Sequence, residues 1–367
     1  MENNRGARMP WIIVILIVVI VLLLSWLGSL ILRNAMGKDD FGSYKAFLAA
    51  DGAKVQTIGD GFIYYDGSTL ARIQTSGDTK WQYHIGANAQ FHAGDAGVAA
   101  WGGETLTLID MATGVTTYTA AQGEAVASAR MGAKYAAALI GSETDGTVVV
   151  MEPGGRQVYE VDFNQETVID YGFFSAGSLL WVMALDTSGS VPTCEITTYK
   201  PGSKRIVGLI SDTEQLMYHV TFQSSNICST GVTYYKVYDY TGTENEARRK
   251  LVYGWALVAA EDADDPLMAF APTGQSDGTA ELKDVRMMRA GLDRIVRMPY
   301  ACKALAVRGE HVYGFSQDGY VMVAASNSQD VRAYRMPFQI DKVFGLTGDG
   351  AAVVQSGGTI YMISLGT

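Results

Sequence analysis

Cysteine is scarce in this chain: Cys194, Cys228 and Cys302 are the only three in 367 residues. They lie far apart, with no C-x-x-C and no adjacent pair, which argues against a disulfide framework or a zinc site. Buried free thiols are expected, with room for one chance pair. Histidine is nearly as scarce. His84, His92, His219 and His311 include no pair at i,i+4 spacing and no H-E-x-x-H. Satisfied or solvated imidazoles are expected; His84 and His92 flank the first repeat boundary and could meet in space. No G-x-S-x-G elbow and no Walker loop occur. The paired glycines Gly102-Gly103, Gly154-Gly155 and Gly357-Gly358 fall in hairpin turns rather than in a phosphate cradle.

Positive charge is also thin, with 28 Lys and Arg against 38 Asp and Glu and a net charge of −10. The one basic cluster, Arg248-Arg249-Lys250, has Glu244 and Glu246 beside it and reads as a solvated loop. Nucleic-acid binding needs a positive footprint, so no nucleic-acid partner is expected. The densest acidic run, Glu261-Asp262-Ala263-Asp264-Asp265, lacks the D-x-D-x-D-G spacing of a calcium loop and ends at Pro266. It too reads as a solvated loop.

Charge is absent altogether from Trp11 to Leu32, a run of 22 residues. As a helix it reaches about 33 Å, enough for a bilayer core of about 30 Å. It is longer than the apolar core of a signal peptide, and Arg33-Asn34-Ala35 makes a poor cleavage site. An uncleaved transmembrane anchor is expected. Arg5 and Arg8 precede it and Arg33, Lys38 and Lys45 follow, so the positive-inside count does not set the orientation. A ten-residue tail stays inside easily and long domains translocate despite modest charge, so residues 1–10 are placed in the cytoplasm and the rest outside.

Glycine is abundant, 41 in all. Five times it opens a short apolar, β-branched run, at Gly67, Gly103, Gly146, Gly319 and Gly358. The first apolar positions after these turns (Leu70, Leu106, Val148, Val321, Ile360) are 36, 42, 173 and 39 residues apart. The long gap holds about four periods, and a β-rich period near 40 residues marks propeller blades. The first repeat shows the grammar. Lys54–Ile58 alternates with period two, Gly59-Asp60-Gly61 turns, Phe62–Tyr65 returns, Asp66-Gly67 turns again, Thr69–Thr75 follows and Lys80–Ile85 closes the blade. Spacing places third strands of the middle blades near Cys194–Tyr199, Thr233–Tyr238 and Leu282–Met288. The fold class is therefore all-β: one β-propeller over 53–367 with eight blades, preceded by one transmembrane α-helix. Seven blades is the alternative, if Thr241–Pro266 is an insertion. The last blade lacks a strand when the chain ends, and rings avoid open edges, so Phe41–Ala50, within the 33–52 linker, is expected to supply it.

The second repeat, with Leu106, Leu108, Asp110, Thr113 and Gly114, resembles the PQQ-like propeller repeat. That repeat carries a leucine-rich strand, an Asp, a Thr-Gly turn and a tryptophan on its last strand. The first repeat matches at Gly77 and Trp81, while Tyr118 stands in the tryptophan's place in the second. The likeness fades from residue 170 to 300. Quinone-dependent members of that class, as the resemblance implies, carry adjacent cysteines and acidic calcium ligands, an arrangement missing here. The overall layout also resembles a family of bacterial single-pass membrane proteins of Gram-positive anaerobes, with a propeller-like domain of unknown function. That likeness lies in the anchor, the first blade, Gly172–Val182, Leu216–Phe222 and the tail from Arg335 to Leu365.

No catalytic, cofactor-binding or metal-ligating residue stands out, and no cofactor is expected. The functional expectation is a non-enzymatic binding or scaffolding module held at the outer face of the cytoplasmic membrane. Its partners would be proteins or cell-envelope polymers. The alternatives are a ligand sensor in the central channel and an envelope glycan-processing enzyme using channel carboxylates.

Overall fold

Lys54–Ile58, Gly61–Tyr65, Thr69–Gln74 and Thr79–His84 form one antiparallel sheet in sequential order. Every residue of its second strand is buried, whereas its fourth strand exposes alternate side chains. The middle strands are covered on both faces and so read as unbroken apolar runs; the last strand meets water and alternates. The computed structural model describes residues 43–50, 52–174, 177–261, 263–275 and 281–365. Among these, seven more four-stranded sheets follow, spanning 90–121, 126–163, 166–212, 217–251, 255–302, 304–335 and 342–364. They are numbered one to eight here in chain order, and the first strand of each is its inner strand.

The sheets close into a ring. Phe62 and Ile73 of sheet one share a core with Val353 and Ile360 of sheet eight, and Ile63 and Leu70 share another with Val98 and Ile109 of sheet two. Comparable two-sheet cores join sheets two to seven in succession. Arg308 of sheet seven donates to the Gly348 carbonyl of sheet eight at 2.7 Å. The architecture is an eight-bladed β-propeller.

Sheet eight supplies three strands from the end of the chain, and Tyr44–Leu48 is the fourth, paired antiparallel with Thr359–Ile363. Phe47 packs edge-on against Phe62 and Tyr64 of sheet one, and Ala50 N–H donates to the Tyr64 hydroxyl at 2.6 Å. The span Trp11 to Leu32, the tail 1–10 and most of the 33–52 linker lie outside the described residues. Among the described residues no helix is long and apolar enough to cross a membrane.

The seven-blade alternative is wrong. The stretch 241–266 is no insertion: it holds the outer strand of sheet five, Lys250–Leu251, and the inner strand of sheet six, Trp255–Ala260. The outer strand is only two residues long, and a loop does the rest of its pairing through Asn245 N–H to the Val237 carbonyl, 2.7 Å. A strand that short leaves no apolar run to read.

Neighbouring blades latch through one repeated device. Asp110 accepts hydrogen bonds from Thr113 N–H and hydroxyl at 2.8 and 2.6 Å, holding a turn that ends at Gly114 with φ +71°. The indole of Trp81, from the preceding blade, lies on that glycine: an added Cβ would sit 2.5 Å from Trp81 Cγ. Trp81 Nε1 donates to the Met111 carbonyl at 2.9 Å, and Arg72 donates to the same oxygen at 2.6 Å. One blade on, Tyr118 lies on Gly155 in the same way. A ring flat on a glycine is what the latch requires, and tyrosine meets that need as tryptophan does.

Candidate functional site

The inner strands line the centre of the ring, and polar side chains stitch sheet one to two, two to three, three to four and five to six. Gln56 gives and takes a hydrogen bond with the Ala93 backbone, both 2.8 Å. His92 Nδ1 accepts the Met131 N–H at 3.1 Å. Arg130 pairs with Asp170 at 3.0 Å, and the Tyr218 hydroxyl accepts the Leu257 N–H at 3.1 Å. These links step 37, 39, 40 and 39 residues, one repeat each. Burial, with the positive charge of Arg130, pushes the His92 pKa down to about 4, so the ring is a neutral imidazole that accepts at Nδ1. The inner strands of sheets six to eight carry Leu257, Val258, Leu305, Val307, Val343 and Phe344, and Arg308 at the end of the sheet seven strand adds the polar link to Gly348 of sheet eight.

Between sheets five and six the inner strands Met217–Gln223 and Trp255–Ala260 flank a cleft. Both strands carry a bulge there, at Tyr218 and at Val258. A bulged residue drops out of the ladder and bends its strand. The cleft has a volume of about 190 Å³ and is lined by Tyr218, His219, Leu257, Val258, Ala259 and Ala260. Burial raises the Tyr218 pKa, so its hydroxyl stays protonated.

The residues singled out in the sequence are distributed through the ring. His84 sits on the outermost strand of sheet one and His92 on the innermost strand of sheet two, so the two do not meet. Sequence neighbourhood across a blade boundary misleads here, because the chain crosses from rim to centre between them. The three cysteines are free and buried in sheets four, five and six, and burial pushes the Cys228 thiol up to about 11 and that of Cys302 to about 12. Such thiols are unreactive. Arg249 grips Glu244 through two hydrogen bonds of 2.7 and 2.8 Å, and Arg248 donates to Gln223, so much of the basic cluster is spent on local pairing. In the acidic run, Glu261 accepts the Gly309 N–H of sheet seven at 2.8 Å and Asp264 accepts the Ser224 N–H of sheet five. Asp262 lies outside the described residues. Far from being a loose loop, the run ties sheet six to both neighbours.

Sheet four brings together a group the sequence did not mark. Glu166 faces Asp186 across the first and second strands, with Glu195 close by. Burial, then the charges of Glu195 and Asp186, raises the Glu166 pKa. Glu195 accepts the Ser211 hydroxyl at 2.8 Å and Asp186 the Ser188 N–H at 2.8 Å. Only the register of three strands brings these carboxylates together, and no spacing in the sequence signals it.

The two faces of the ring differ. Antiparallel order puts the turns after first and third strands on one face, here the lower. The turns after second strands and the connections to the next sheet lie on the upper face. Tyr44 pairs with Ile363 at the lower end of sheet eight, so the chain joins the ring on the lower face. Upper turns carry the exposed carboxylates Asp66, Glu104, Glu124, Glu143, Asp145 and Asp318, and Lys303 is the basic residue among the described turns there. Lower turns mix Glu152 with Arg156 and Glu244 with Arg249 in ion pairs.

No known family profile matches the sequence, and no curated protein matches it. Solved structures do match in shape. BamB from Moraxella catarrhalis superposes with a TM-score of 0.56 at 11% identity, over 87% of this chain and 95% of BamB. Sqt1 of Saccharomyces cerevisiae gives 0.58 at 9% identity, over 89% of this chain and 100% of Sqt1. The computationally designed Ika8 protein gives 0.55 at 15% identity, over 88% and 97%. At such identities the likeness is one of fold alone: a β-propeller.

Proposed function

We propose that this protein is a non-enzymatic docking module, a rigid ring that presents its loop faces to a protein or envelope-polymer partner. The observation that carries this reading is how the channel's polar groups are used. Gln56, His92, Arg130 and Tyr218 each bridge neighbouring sheets. Side chains spent on holding sheets together are poorly placed to turn over a substrate, whereas turns exposed on a rigid scaffold are where binding residues commonly sit. The fold shared with BamB and Sqt1 is consistent with such use. The charge-free run from Trp11 to Leu32 supports a single-pass anchor in the cytoplasmic membrane, with the amino terminus inside and the ring outside. The likeness to the single-pass family of Gram-positive anaerobes points the same way.

The test is capture after chemical crosslinking in native membranes. The expected result is a small, reproducible set of crosslinked partners that is lost when the ring is broken by replacing residues 43–50 with glycine and serine while Trp11–Leu32 is kept. Turnover of an envelope glycan by the purified chain, with no crosslinked partner, would overturn the reading. A second reading, a small-ligand sensor, is favoured by the cleft at Tyr218 and His219. Stabilisation of the purified ring by a small molecule, abolished by filling the cleft with Ala259→Leu, would favour it instead.

A further inference from the structure

We propose that Lys236 and Asp212 join as an amide, a covalent staple between sheets four and five that the fold forms on itself. The inference stands apart from the docking reading. Asp212 ends the outer strand of sheet four, Arg205–Asp212, and Lys236 lies in the third strand of sheet five, Tyr234–Asp239. Lys236 Nζ sits 2.9 Å from Asp212 Oδ2, and the two side chains are 3% and 1% exposed. A lysine is almost never this deep unless it is paired. The pair as ions is a poor source of stability, because desolvation offsets the attraction. An amide made from the same two groups is neutral, so burial favours it over the ions. Contact favours it too, since reacting groups held together behave as if present at about 10⁵–10⁸ M.

The neighbours match what amide formation needs. Asp212 Oδ1 accepts the Glu214 N–H at 2.9 Å, and Oδ2 accepts from Gln215 Nε2 at 3.2 Å. The N–H is placed to hold the negative charge that grows on Oδ1 when Cγ becomes tetrahedral. The exposed carboxylate of Glu214 reaches Lys236 Nζ at 2.6 Å, and Arg249 steadies it from 3.5 Å. Burial opposes the charge on Lys236, but hydrogen bonds to Glu214 and Asp212 keep its pKa above the usual lysine value, so the ammonium is the resting form. The same contact holds the Glu214 pKa below the usual carboxylate value, so a base stands beside the nitrogen.

The step balances within the site. One proton passes from Nζ to Asp212 Oδ2 along their 2.9 Å contact, leaving a neutral amine and a neutral acid. The nitrogen lone pair attacks Cγ, the N–C bond forms, and Glu214 takes a second proton from nitrogen. The Cγ–Oδ2 bond then breaks. The departing hydroxyl takes the proton back from Glu214 and leaves as water, while the third ammonium proton stays on the amide nitrogen. An ammonium and a carboxylate become an amide and one water, with nothing oxidised, nothing reduced and no co-reactant. The staple secures sheet five, whose own outer strand is only two residues long.

The test is the mass of the unaltered full chain, purified in detergent and denatured. It should lie about 18 Da, one water, below the mass of its sequence. Trypsin should leave 206–248 as one fragment, uncut after Lys236 and lighter by the same water, with the link between Asp212 and Lys236. Lys236→Arg keeps the charge pair but offers no amine, and should show its full sequence mass. Glu214→Gln alters an exposed side chain, so it should fold. It should carry mostly the full mass, because loss of a general base slows such a step by about a hundredfold or more. Full mass in the unaltered chain would overturn the proposal and leave a plain ion pair. So would a loss of water that survives in Lys236→Arg, because it would arise elsewhere. A link as complete in Glu214→Gln as in the unaltered chain would overturn the role given to Glu214.

Discussion

Replacing Trp81 with alanine tests the latch between blades. The side chain is 8% exposed and lies on Gly114, so the substitution leaves a void between sheets one and two. An indole buries about 200 Å² of apolar surface, about 5 kcal/mol at about 25 cal/mol per Å², and this is an upper bound. Its hydrogen bond to the Met111 carbonyl adds about 1 kcal/mol, although Arg72 still satisfies that oxygen. Partial collapse returns some of the loss, and the expected cost is about 3–5 kcal/mol. For a domain of this size that lowers the melting temperature by about 5–7 °C. Trp81→Phe keeps most of the area and should cost about 1–2 kcal/mol. Gly114→Ala should also destabilise, because its Cβ would strike the indole and its φ is +71°. Combined with Trp81→Ala the clash disappears, so the double variant should cost clearly less than the sum. Denaturant melts of the four variants and the unaltered chain read all of this. A cost for Trp81→Ala below about 1 kcal/mol, or strict additivity with Gly114→Ala, would refute the latch.

Two further outcomes are expected. His92 stays neutral down to about pH 4, whereas the unfolded chain protonates near 6.5. The unfolded state therefore binds more protons between those values, and stability should fall as pH drops from 6.5 to about 4, by on the order of 3 kcal/mol. His92→Gln keeps an acceptor for Met131 and should flatten that slope; an unchanged slope would show that other groups set it. A chain starting at Asp51 should melt well below one starting at Lys38, because sheet eight loses its partner strand Tyr44–Leu48 and bares an edge. Equal melting temperatures would mean that the strand adds nothing to closure.

The blade count was legible wherever a glycine turn preceded an apolar run, because that pattern reports a hairpin directly. The spacing argument placed third strands in the three middle blades, and they are found at Thr193–Lys200, Tyr234–Asp239 and Leu282–Arg289. The closing strand was legible too, from Tyr44, Phe47 and Leu48 in a segment too apolar for a tether. The Asp-x-Thr-Gly turn of Asp239, Thr241 and Gly242 went unread. It repeats the Asp110 device, with Asp239 accepting from Thr241 and Thr243, but its glycine packs under the Leu209 carbonyl instead of an aromatic ring. Without a tryptophan to announce it, the motif is three common residues. The exposed apolar group of Leu216, Val232, Leu251 and Tyr253 was invisible for a deeper reason. Leu251 lies on the outer strand of sheet five, Val232 in a turn of that sheet, and Leu216 and Tyr253 in its flanking connections, so only the pairing of that sheet sets them side by side.

The placement of the ring outside the cell, on which the docking reading depends, has a direct test: proteinase added to intact spheroplasts carrying the full chain. Digestion of the ring or of its junction near residues 33–52, with the amino-terminal tail protected, is the expected result. A ring that survives until the membrane is broken, and is cut only then, would contradict it.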